Sequence, residues 1–166
     1  MMKKSAKSAI FTLFAVMLCI TATAQGDWKR ETEKAVSRIS MESLYRDISF
    51  LTDSLCNGRA TGTKGAVEAA FWISRQFENA GLLPVTEGYG SHFVTPTGTY
   101  GHNIIGMMPG ALSMPRERYI IVGAHYDHLG VLNGKMFPGA DANASGTAVL
   151  TSLAEMFGAM KEMGKV

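Results

Sequence analysis

His125, Asp127 and Asp141 are the residues of this chain whose types and spacing suit chemistry. They lie in two runs, residues 119–130 (YIIVGAHYDHLG) and 137–146 (FPGADANASG), joined by a short loop. Imidazole suits zinc, and its second ring nitrogen normally needs an orienting acceptor. Asp127 stands two residues after His125, on the same side of an extended chain, where it can orient the ring or receive protons nearby. Asp141 follows a Pro-Gly turn and precedes a helix start, so its carboxylate projects from a tight loop. One carboxylate can bridge two metal ions, and paired metals polarise a carbonyl and generate a hydroxide nucleophile. Each feature alone has a plainer reading. His-x-Asp recurs by chance, and an Asp before a helix is usually a cap. Here Asn143 or Ser145 is the expected cap, with Gly146 permitting close approach. The combination is more specific than its parts.

Positioning these groups calls for an α/β architecture: N-terminal helices, then a mixed sheet with an edge hairpin and a buried metal-site strand, flanked by helices. Residues 119–124 form a continuous apolar run, as expected for a strand buried on both faces. Ligands gather at the carboxyl ends of such strands, where His125 sits. The last helix is expected over Ser145 to about Met163, with Val149, Leu153, Met156, Phe157 and Met160 on one stripe, the methionines serving as core filler. Upstream, weak amphipathicity predicts a helix over Trp28–Arg38. A clear stripe of Leu44, Ile48, Leu51 and Leu55 predicts another over Met41–Leu55, capped by Ser40. A third is expected over Ala66–Ala80, with Val67, Ala70, Phe71, Ile73, Ser74 and Phe77 at helical spacing. Gly81 is its C′ residue and Leu82 the hydrophobic contact that follows. Phe71 and Trp72 read as core. Between Tyr89 and Met108 the pattern alternates around Pro96–Gly98 and predicts a hairpin carrying His92 and His102, two strand histidines with no assigned role.

Residues 57–65 (NGRATGTKG) resemble a phosphate-binding loop only superficially. Thr63 separates Gly62 from Lys64, Gly65 follows the lysine, and a helix precedes the loop, so a Gly-rich turn is the better reading.

Lys3, Lys4 and Lys7, the apolar stretch Ile10–Ile20 and the small-residue site Ala22-Thr23-Ala24 read as a signal peptide over residues 1–24, leaving a domain portion over residues 25–166. Export is therefore expected, to the periplasm or beyond. Losing the three lysines takes the formal charge from +2 to −1, so the basic balance belongs to the leader. Neither nucleic acid nor, after cleavage, a membrane is an expected partner. Losing Cys19 leaves Cys56 as a single thiol that can form no internal disulfide, and a buried structural role is expected.

The segments 125–130 and 138–146 together resemble the M28 family of zinc aminopeptidases. Residues 58–65, Asn103–Gly106 and Leu51–Leu55 resemble the family's loop before its first long sheet helix, the strand preceding the metal strand and the helix ahead of the loop. The resemblance implies a zinc-exopeptidase fold and hydrolysis of N-terminal residues from a peptide substrate, with two Zn2+ ions. It implies His125 as a ligand of one zinc, Asp141 as the bridge between both, and Asp127 as the catalytic aspartate that orients His125. Many relatives carry a second Asp where this chain has Ala142, and His128 is not a ligand in the branch that has it. The family also uses a Glu-Glu pair, a later Asp and a later His. None of these four follows Asp141 here, where the only acidic residues are Glu155 and Glu162 on the last helix. The expectation is thus the front part of a longer peptidase, inactive and prone to association by itself. Carboxypeptidase or glutaminyl cyclase activity on the same fold, and an inactive binding or scaffold role, are the alternatives.

Overall fold

The computed structural model describes residues 29–110 and 119–162. The expected signal peptide lies outside them. Among the described residues, no helix is long and apolar enough to cross a membrane.

Among the described residues four helices carry the fold: α1 over residues 29–36, α2 over Met41–Thr52, α3 over Lys64–Asn79 and α4 over Ser145–Glu162. Ser40 caps α2, its hydroxyl accepting from the Ser43 N–H at 2.9 Å. The helix stops at Thr52, short of the expected Leu55. Asp53 turns extended there, and its carboxylate accepts from the Leu55 N–H at 2.8 Å, holding a local turn that leaves Leu55 exposed. Thr63 caps α3 through the Ala66 N–H. At its other end, Gly81 adopts φ +71 while the Leu82 N–H reaches Phe77 O and the Gly81 N–H reaches Glu78 O. This is the expected helix stop, with Leu82 packed on the Phe77 cluster.

Helix α4 is the central element. Met156 and Met160 enclose Ala35 of α1, as expected of core methionines. Thr151 faces Asp47 of α2, and Ala154 joins Ile73 and Phe77 of α3 and Ala80 at its C-cap. Val149 and Phe157 fall at the margin and are exposed. On α3 the buried stripe is Ala66, Ala69, Ala70, Ile73 and Phe77. Trp72 stacks on Phe50 at 4.0 Å, consistent with core, whereas Phe71 lies at the surface.

Among the described residues, strands β1 (Leu83–Pro84), β2 (Gly90–Val94), β3 (Tyr100–Ile104), β4 (Gly106–Met107), β5 (Gly130–Leu132) and β6 (Lys135–Phe137) make three two-stranded antiparallel sheets. The expected hairpin is β2–β3, with His92 opposite His102 and Phe93 opposite Gly101. The loop expected between the two site segments is itself a hairpin, β5–β6. Asn133 and Gly134 both take positive φ at its tip, as a two-residue turn of matching twist requires.

The expectation of a strand over residues 119–124 buried on both faces is corrected. The segment pairs with no strand among the described residues, and Ile120 and Ile121 are 96% and 91% exposed. A buried strand needs ladders on its edges and cover on its faces, and none of the described elements supplies either. The mixed α/β class holds, but residues 119–124 form no strand.

Candidate functional site

Beyond the exposed run, residues 125–128 are firmly anchored. Tyr126 points inward and packs against both main core clusters, and its hydroxyl donates to His102 O at 2.8 Å. Burial, with Asp127 adding to it, pushes the Tyr126 phenol up to about 12. His125 and Asp127 flank an inward residue in an extended chain, so both side chains turn outward, each at least half exposed.

The His125 ring is oriented by its neighbour. Its Nδ1 lies 3.1 Å from the Asp127 carbonyl oxygen and 3.6 Å from the Asp127 carboxylate. Both facing atoms are acceptors, so the neutral ring carries its proton on Nδ1 and leaves Nε2 with a free lone pair. The other Asp127 oxygen accepts from the Thr61 hydroxyl at 2.7 Å. The carbonyl of His125 is also held, by the Asn143 amide and the Thr147 hydroxyl, each at 3.2 Å. Asn143, one of the two expected caps, thereby ties the histidine to the Asp141 loop.

Asp141 sits in the distorted turn Ala140–Ala144 that opens α4. Gly139 enters this turn at φ +61, where a side chain would also collide with the His128 ring. Asp141 is exposed, and the Ala142–Asn143 peptide is cis. His128 packs against Gly139, and its N–H donates to Arg59 O at 3.0 Å.

The largest contribution not anticipated from the residues alone is Arg59. It is fully buried and donates to four carbonyls: Tyr126 at 2.7 Å, Pro138 at 2.7 Å, Gly139 at 3.0 Å and Leu51. Burial pulls its pKa below the ordinary value, while Cys56 and Asp127 nearby act the other way. The sequence carries no specific signal for this role, since the acceptors are backbone carbonyls that every residue possesses. Beside His125 and Asp127 opens a cavity of about 260 Å3, walled by Val67, Phe93, Tyr100 and Leu150 among others. His102 reaches this wall, whereas His92 lies edge-on against the His102 ring at 4.5 Å.

Imidazole nitrogen and carboxylate oxygen are donors that fit zinc. Among the described residues, no three His, Cys, Asp or Glu side chains converge as a metal cage. His125 and Asp141 are two side chains of ligand type, fewer than the three protein ligands that catalytic zinc usually takes.

Residues 103–165 match the model of peptidase family M28. The chain is 32% identical over 119 residues to a probable leucine aminopeptidase of Arthroderma otae, covering 69% of this chain and 30% of that relative. A probable leucine aminopeptidase of Trichophyton verrucosum is 29% identical over 118 residues, with the same coverage. The chain therefore spans about 30% of the length of the curated relatives it matches. No solved structure matches significantly.

Proposed function

We propose that this relative of the M28 peptidases is the front part of an exported, zinc-dependent aminopeptidase that removes N-terminal residues from peptides. The observation that carries the reading is the His125 ring, held through Nδ1 by Asp127, on a segment inside the family match. His125 and Asp141 would hold metal, and Asp127 would fix the tautomer and orientation of His125. Bound zinc would supply Lewis acidity and a lowered pKa for bound water. Thr61 keeps Asp127 in place, and Asn143 with Thr147 keeps the His125 backbone against the Asp141 loop. Two donors fall short of a catalytic zinc shell, so the remaining ligands and the general base would come from further sequence, in keeping with the greater length of the relatives. Export is inferred from the leader-like residues 1–24.

The test is a substrate panel on the full-length product of the locus. Leucine p-nitroanilide should be cleaved and its N-acetylated form should not. Chelation with 1,10-phenanthroline should abolish turnover and added zinc should restore it. Preferential cleavage of C-terminal residues, cyclisation of N-terminal glutamine, or no turnover of any of these would overturn the assignment.

A further inference from the structure

We propose that Arg59 is the positioning residue that sets the spacing between the two ligand-bearing segments. The guanidinium is a planar fork with five donors in fixed directions. Here that fork reaches both segments at once. Nε donates to Tyr126 O, between His125 and Asp127, at 2.7 Å. Nη1 and Nη2 donate to Pro138 O and Gly139 O, the turn that delivers Asp141, at 2.7 Å and 3.0 Å. A further bond from Nη1 to Leu51 O anchors the fork to the end of α2. The backbone of the same residue works in parallel, since Arg59 O accepts the His128 N–H at 3.0 Å.

The surroundings leave the fork little freedom. Arg59 is 0% exposed, and its own φ is +53. On one side, Gly58 lies so close to Gly130 O and Phe137 O that a side chain there would come within 2.6 Å of each. On the other, Thr61 bonds the Asp127 carboxylate. The loop 58–61 therefore touches the backbone on both sides of the site. Neither metal-ligand segment belongs to a larger sheet among the described residues, so no ladder fixes their separation. A lysine has one compact ammonium and cannot span Tyr126 O and Gly139 O in the same geometry.

This inference rests on His125 and Asp141 being metal ligands, and its test separates the two ideas. Zinc affinity of the folded full-length protein would be measured by competition with a chromophoric chelator, well below the melting temperature, for wild type and Arg59→Lys. Loosening the support of ligand residues should weaken zinc binding about 10- to 100-fold. Unchanged affinity in a folded Arg59→Lys protein, even one with a lower Tm, would mean a merely structural arginine and overturn the proposal. Native-state hydrogen exchange on the unsubstituted protein covers the case in which the variant does not fold. The His128 amide bonds Arg59 O, and the Ala144 amide bonds Gly139 O. If one clamp holds both segments, the two amides should open together, with protection factors within about threefold and the same denaturant slope. Protection differing by more than about tenfold would overturn the clamp. A wild-type protein that binds no zinc would sink the metal assignment, and the clamp would then be judged on exchange alone.

Discussion

Cys56 shows how much a single side chain in this fold depends on burial. It is fully enclosed with Leu51, Ala69 and Ala144, and burial pushes its thiol from 9.0 up to about 11 despite the pull of Arg59. The protonated thiol is the form the fold favours. Its contribution to stability is therefore complete below pH 9 and is lost as pH rises from 9 towards 11, with a limiting slope of about 1.4 kcal/mol per pH unit. Urea denaturation of wild type and Cys56→Ala at pH 8 to 11 should show their stability difference shrinking across this window; a constant difference would refute it. Gly139 is the second sensitive position. Its left-handed backbone and the His128 ring leave no room for a methyl group. Gly139→Ala should cost about 1–3 kcal/mol of unfolding free energy, and an unchanged Tm would count against the turn geometry. His125, Asp127 and Asp141 could be nominated from residue types and spacing alone. The clamp by Arg59 could not, because its acceptors are carbonyls of Tyr126, Pro138 and Gly139, which any sequence possesses.

At the scale of elements, α2 and α4 are joined by a polar contact inside an apolar interface. Thr151 donates to the buried Asp47 carboxylate at 2.8 Å, and Arg46 supplies that carboxylate with a second partner at 3.0 Å. Thr151→Val keeps the shape and removes the donor, so thermal unfolding should show a loss of about 1–3 kcal/mol. No measurable change would show that Arg46 alone satisfies Asp47. The helices were readable in the sequence because caps and apolar spacing agree locally, as Ser40, Gly81 and the Leu44–Ile48–Leu51 stripe illustrate. The β2–β3 hairpin was equally plain. The β5–β6 hairpin carried a legible signal, Asn133-Gly134 between Val131-Leu132 and Met136-Phe137, yet such a short ladder is easily read as loop. The apolar period runs past the end of α2 to Leu55, while Asp53 competes for the backbone two residues earlier. The run over residues 119–124 illustrates the opposite limit. Composition marks it for burial, but pairing is a property of neighbouring strands that local sequence does not encode.

For the molecule as a whole, this exposed run is the feature with most consequence. Residues 119–122 are all more than half exposed, β-branched or aromatic, and uncharged. Such a segment is a template for edge-to-edge association. The chain 25–166 should self-associate in sedimentation velocity at micromolar concentration, and Ile121→Lys should shift it towards monomer. A wild-type chain that stays monomeric would show that the run is covered in solution. The proposed zinc site also belongs to this scale. It is tested most directly by the zinc content of the full-length protein after exhaustive dialysis, for wild type, His125→Ala, Asp141→Ala and His128→Ala. Two zinc ions per wild-type chain are predicted, with loss of at least one in the first two variants and full retention in His128→Ala. Full zinc content in His125→Ala, or a wild-type protein that retains none, would contradict the assignment of this site.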